Sequence, residues 1–303
     1  MSEKINEKNM VCEPQAEWGG SWTERKLEAF GKYVSAYLTI MRKHPYLKTI
    51  YFDGFAGCGD RKSGTDTELY HELLITDEEE RLYQGAAERV LDLKNELSFD
   101  YHYFIDTDKE ALDKLESKLY KYQCGKNPFQ FRQGDCNEHI ATLAKAMRDP
   151  SKKLASLVLI DPFGMHINWK SIEELKDTRT DIWILIPTGV IVNRLLDRKG
   201  ELKNFQILES FFGLSKDEIK DMFYKTELKE TLFGAEEVVQ KVNKPIEKIA
   251  EFYTQRLKTI WKFVTEKPLR LENTRGVPIF HFVFASNNPT GVKIASQIID
   301  KAH

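Results

Sequence analysis

Cysteine is scarce and falls in no useful pattern: Cys12, Cys58, Cys124 and Cys136 are all there is. None stands in a C-x-x-C pair or at zinc-ligand spacing from a histidine, which argues against a zinc finger or ribbon. Four scattered thiols also make a poor disulfide framework, so free cysteines in a reducing cytoplasm are expected. Long hydrophobic runs are missing too. No stretch approaches the roughly 18–20 apolar residues of a membrane span. The opening MSEKINEKNMVCEPQAEWGG lacks the apolar centre of a secretion signal, so a cytoplasmic location is expected. Excess positive charge is absent: 45 Lys and Arg stand against 47 Asp and Glu, so bulk charge gives no push toward nucleic acid. The basic clusters Arg194, Arg198, Lys199, Lys203 and Lys262, Lys267, Arg270, Arg275 read as solvated surface. No internal repeat or low-complexity tract occurs.

What is present is a rhythm of strands and helices. Residues 1–20 read as a disordered leader to one domain spanning 21–303. From Thr23 to Lys43, Leu27, Phe30, Val34, Leu38 and Met41 recur at helical spacing, and His44-Pro45 closes the helix. LKTIYFDGFAGCG follows as a buried strand entering a tight loop. Residues 61–84 are polar and without period, an insertion. A helix over Gly85–Leu97 precedes the strand YHYFIDTD, then a helix over Lys109–Tyr122, the strand FQFRQGD and a helix over Asn137–Met147. LASLVLIDPFG, a helical Trp169–Asp177 and TDIWILIPTG continue the alternation, which predicts a mostly parallel, doubly wound sheet. The rhythm breaks over residues 190–245, a charged stretch read as a helical insertion over the sheet edge. An amphipathic helix over Pro245–Phe263, the strand PIFHFVFASNN and a helix over Thr290–Lys301 complete a Rossmann-like sheet of seven expected strands.

In such sheets ligands bind beyond the carboxyl ends of the strands. Here four successive strands end in aspartate: FDGFAGCG, FIDTD, RQGD and LIDPFG. Each Asp alone is an ordinary turn or helix-capping residue; four in series point to a site. A P-loop would need G-x-x-x-x-G-K-[ST], but no lysine–serine pair follows Gly57 and Gly59, and Asp60 would repel phosphate. A nicotinamide loop would need G-x-G-x-x-G and an acid about 20 residues later; the third glycine is absent and the acid comes much later. S-adenosylmethionine carries no phosphate and fits better. Asp53 can meet its ammonium, Gly57 and Gly59 allow close backbone approach, Asp106 can accept from the ribose diol and Asp135 from the adenine amine. Asp161-Pro162 is held extended by the proline. It would present a carboxylate to an exocyclic amine stacked on Phe163. The expected sites are therefore Asp53, Gly54, Phe55, Gly57, Gly59, Asp106, Thr107, Asp135 and Cys136 for cofactor, and Asp161, Pro162 and Phe163 for catalysis. Lys26 and Arg194 are further candidates for binding an anionic group, with an exposed lysine and a surface ion pair as their plainer readings.

DGFAGCG, FIDTD, GD and DPFG resemble the motifs of class I, Rossmann-type methyltransferases. DPFG is a variant of the amino-methyltransferase D-P-P-[YF], with Phe163 at the second proline and Gly164 at the aromatic position. A narrower resemblance runs through YFDGFAGCGD, QGAAERVLDL, LVLIDPFGMHINW, DIWILIPTGVIVNRL and PIFHFVFASNNPTGVKIA: the chain is similar to the three-Cys-motif partner protein family of bacteria. This implies S-adenosylmethionine binding and a radical-type partner protein carrying the three-cysteine motif, and it supplies no substrate; the expected reaction is methyl transfer to a nucleic-acid base or a related amine. A cofactor-binding module without transfer, or transfer to a small molecule or protein, stays open.

Overall fold

The computed structural model describes residues 21–57, 85–93, 97–122, 128–162, 164–231, 234–273 and 275–302. The insertion expected at 61–84, and Cys12, Cys58, Gly59, Cys124 and Phe163, lie outside the described residues. Five parallel strands form the centre: β1 (Lys48–Asp53), β2 (Tyr101–Asp106), β3 (Gln130–Gln133), β4 (Leu154–Ile160) and β5 (Thr180–Ile186), in the order β3-β2-β1-β4-β5. β10 (Pro278–Ser286) adds antiparallel to β5, and the short β8 (Phe263–Val264) and β9 (Leu269–Glu272) pair with β10. The sheet thus has eight strands where seven were expected. Six of the eight are the strands read from the sequence, and the other two are β8 and β9, which at two and four residues are too short to show a period.

β4 explains its own place. All seven residues of LASLVLI are buried, because a central strand covered by helices on both faces has no side left for polar residues. One face carries α1 (Ser21–Met41), α2 (Gly85–Leu91), α3 (Lys109–Leu119) and α9 (Pro289–Ala302), over a core that includes Phe30, Tyr51, Phe104, Leu157 and Trp183. The other carries α4 (Cys136–Met147), α5 (Trp169–Glu173), α6 (Phe205–Phe212), α7 (Lys216–Phe223) and α8 (Pro245–Leu257), over Ile50, Phe52, Val158, Ile184 and Val283. Alternation within each strand sends odd residues of β1 and β4 to the α1 face and even residues to the α4 face.

The segment 190–245 is not wholly helical. Its first half packs Phe211, Phe212 and Phe223 against Phe252 and Tyr253 of α8, so it extends the helical layer rather than capping the sheet edge. Its second half is an antiparallel hairpin of β6 (Tyr224–Thr231) and β7 (Gly234–Lys241), separate from the main sheet. Leu228 and Val239 stay exposed on this ribbon. A ribbon wetted on both faces has no apolar alternation to announce it, and so its charges read as helical surface. Among the described residues no helix is long and apolar enough to cross a membrane.

α1 is tied to the sheet by Tyr33, whose hydroxyl donates to Asp181 Oδ2 of β5 at 2.7 Å, while Ser286 of β10 donates to Oδ1. Burial pushes the Asp181 carboxyl up to about 6 against those two donors. Tyr33→Phe should therefore cost about 1.5–3 kcal/mol at pH 8, where the carboxylate is charged. Below pH 5, where the acid is neutral, the loss should shrink toward about 0.5–1.5 kcal/mol. Urea unfolding at the two pH values measures the difference.

Candidate active site at the carboxyl rim

The four strand-end aspartates come together as the parallel order requires. Asp53 is the last residue of β1 and Asp106 the last of β2; Asp161 directly follows β4, and Asp135 stands two residues beyond β3. Register and alternation put Asp53, Asp106 and Asp161 on one face. Asp53 pairs with Phe104 on one side and with Leu159 on the other, so Asp106 and Asp161 each lie two residues farther along the neighbouring strand. All three share the face of Tyr51, Phe104 and Leu159, which is the α1 face.

Asp53 is buried beneath this rim. Tyr51, two residues back and so on the same face, donates its hydroxyl to Oδ2 at 2.9 Å, and the Phe55 amide donates to Oδ1 at 3.3 Å. Burial nevertheless pushes the carboxyl up to about 7, and the negative charges of Asp161 and Asp106 push the same way. Asp106 accepts the Gly57 amide on Oδ2 at 3.0 Å and the Asp108 amide on Oδ1 at 2.8 Å. A Cβ on Gly57 would sit 2.9 Å from that carboxylate and from Ala111 Cβ, so only glycine lets the loop close on Asp106. Gly54 plays a packing part: a Cβ there would meet Cys136 Sγ at 2.5 Å and Ile160 Cδ1 at 2.9 Å. Cys136 is buried against it at the start of α4, and burial pushes its thiol up. Phe55 packs at the edge of the α4-face core. Asp135 caps α4, accepting the Asn137 amide at 2.8 Å, and its side chain stays exposed. Thr107 is exposed, its carbonyl accepting from Gln133 at 3.2 Å.

The side chain least expected here is Lys26. It is fully buried, and its ammonium donates to Asp161 Oδ2 at 2.6 Å, with the Trp22 ring 5.6 Å away. The exposed-lysine reading is thereby corrected. The sequence held a signal: Trp22, Lys26, Phe30, Tyr33 and Tyr37 follow one helical stripe, and a lysine within an apolar stripe needs a buried partner. Lys26 is the only buried Lys or Arg among the described residues. Pro162 is buried beside Asp161. Arg194 follows the carboxyl end of β5 on the single helical turn Asn193–Leu195 and is exposed. At the same end His281 of β10 and Thr188 form a buried pair, Nδ1 to Oγ1 at 2.7 Å, which sequence reasoning missed because β5 and β10 meet only through the fold.

The rim is therefore rich in acids. Asp53, Asp106 and Asp161 share one sheet face with a single ammonium, and no other buried Lys or Arg offsets them among the described residues. Such a field repels phosphate and attracts a cation.

No family model and no curated protein matches the chain. Among solved structures, a Legionella pneumophila protein of the family DUF519 aligns over 80% of this chain and 93% of its own, at 13% identity and a TM-score of 0.36. An rRNA methylase from Streptococcus thermophilus aligns over 65% of this chain and 88% of its own, at 14% identity and a TM-score of 0.28. Likenesses this distant carry no argument about activity. The architecture is the Rossmann-like one expected from the motifs, a mostly parallel sheet with helices on both faces and the antiparallel β10 beside β5.

Removing one partner of a buried ion pair strands the other charge. Lys26→Met should cost about 3–5 kcal/mol, and Asp161→Asn in the same chain should recover more than half of that. A double-mutant cycle by urea unfolding reads the coupling; additive losses would mean that the pair is not a unit.

Proposed function

We propose that the chain binds S-adenosylmethionine at the carboxyl rim and transfers its methyl group to an amino group, on a nucleic-acid base or a related amine. The observation that carries this reading is the acid-rich, phosphate-hostile rim closed by Gly57 on Asp106. The residues fit the cofactor. Its sulfonium and ammonium are cationic, and the carboxylates outnumber the one buried ammonium. Asp53 would meet the ammonium, Asp106 the ribose hydroxyls and the exposed Asp135 carboxylate the adenine amine. When bound, the sulfonium supplies an electrophilic methyl carbon.

The chain's own part is orientation. Asp161 accepts one N–H of the acceptor amine, which leaves the nitrogen lone pair directed away from the carboxylate. Lys26 holds Asp161 at one fixed position, so the geometry is set before the acceptor arrives. The nitrogen that gains the methyl group sheds a proton, for which Asp161 and then solvent are the acceptors. Alignment does most of the work, since transfer from a sulfonium needs no strong base.

The Asp53 carboxyl supplies a pH signature. With its value raised to about 7, the folded apo protein holds a proton there that the unfolded chain, near the ordinary carboxyl value, has lost. Apo stability from this group is thus full below about pH 4 and declines as pH rises through 7. Pairing with an ammonium requires the ionised form, so cofactor affinity should rise by up to about tenfold per pH unit between pH 5 and 7 and then level off. Calorimetry in buffers of different ionisation enthalpy should record proton release, and Asp53→Asn should remove both effects while raising apo stability at pH 8. No binding at millimolar cofactor would sink the reading.

Transfer itself is tested with methyl-labelled cofactor and DNA, RNA or cell lysate. Asp161→Asn should lower labelling about 100-fold or more with cofactor affinity kept. Cofactor binding with no labelled product in any fraction would point instead to a cofactor-binding module.

A further inference from the structure

The other face of the sheet holds a second site. Helices cover β4, β5 and β10 on the α4 face, and α4 packs on both β2 and β4, but among the described residues it does not close the space above β1, β2 and β3. The result is a groove of about 710 Å³ with β1, β2 and β3 as its floor and α4 as one wall. Tyr101 and Tyr103 stand on that floor, two residues apart on β2 and so on one face, about 7 Å from each other. Both are half-buried, and neither ring stacks on another described ring.

Charge in the groove has one sign. Lys48 and Lys152 stand at its amino end and Arg132 at its carboxyl end, about 20 Å away along the strands. No described acid lines it, in a protein whose net charge is -2. Exposed Lys48 pairs with the half-buried Asp100 at 2.9 Å and exposed Lys152 with Asp149 at 3.9 Å, and a phosphate can draw either ammonium away at little cost. Arg132 donates to the Gln130 amide oxygen at 2.5 Å, and no described acid pairs with it.

From this geometry we infer that the groove binds single-stranded nucleic acid, with two successive bases stacked on Tyr101 and Tyr103 and the backbone running between the lysines and Arg132. Unstacked bases offer the flat faces that two open tyrosine rings accept, and the flanking cations neutralise phosphates. A duplex keeps its bases stacked inside and could not reach the floor. An acidic peptide would satisfy the cations and leave the rings unused. The groove reaches Phe52 and Ile105, each one residue short of the rim acids Asp53 and Asp106, but on the opposite face. The inference therefore goes beyond the methyl-transfer reading and stands or falls apart from it.

The test is fluorescence anisotropy of the full chain with labelled oligouridylate and oligodeoxythymidylate over a salt series, the two arms separating RNA from DNA. Binding is expected at low salt. Tyr101→Ser and Tyr103→Ser should each weaken it about tenfold or more, while Tyr→Phe at either position keeps it, because the ring and not the hydroxyl carries the stacking. Arg132→Gln should reduce the slope of log affinity against log salt by about 0.7. Thermal unfolding and S-adenosylmethionine titration of the same preparations show that the variants are folded and that the opposite face is intact. The inference is overturned by no binding of either oligonucleotide at low salt, by binding that survives both serine substitutions, or by equal loss in the phenylalanine variants.

Discussion

An ammonium and a carboxylate cut off from water, Lys26 and Asp161, decide how the carboxyl rim is assembled. Neither charge is tolerable alone at that depth, so α1 and the end of β4 have to arrive together. Once they do, α1 is fixed over the sheet at two points along its length, by Lys26 near its start and by Tyr33 two turns later. The rim acids on β1 and β2 then fall beside the pair through strand register alone. An apolar pair of the same shape would hold α1 as well, or better.

In the rest of the rim, burial works against the charged state of the acids. Asp53 is buried next to two other carboxylates and only partly relieved by Tyr51 and Phe55. A neutral residue would serve the apo fold better at neutral pH, and a bound cation reverses that preference. Strain of this electrical kind gathers where a ligand is to supply the missing charge. The glycines beside it act mainly on the protein itself: Gly57 lets the loop reach Asp106, and Gly54 makes room for Cys136. Gly57, read from the sequence as bare backbone for a ligand, also lets its own amide reach the Asp106 carboxylate.

The two faces of the sheet divide the molecule chemically. The α1 face is sealed by aromatic packing and ends in the acidic rim. The α4 face is sealed beneath β4 and β5 by the phenylalanines of α6 and α7, and is left open over β2 and β3 with cations at its borders. A near-neutral net charge thus conceals two fields of opposite sign.

The sequence by itself determined the parallel sheet, its helices and the series of strand-end acids, because burial on two faces and turn chemistry leave local marks. LASLVLI could be little else than a central strand, and Asp53, Asp106, Asp135 and Asp161 were readable from their positions after such strands. Lys26 was half legible, as a lysine on an apolar stripe whose partner lies 135 positions away. The hairpin of β6 and β7 was not legible, since a ribbon open to water on both faces carries no period. Nor were the pairing of His281 with Thr188 and the basic lining of the groove. Tertiary structure alone decided these, because strand order, and not sequence distance, chooses which side chains share a surface.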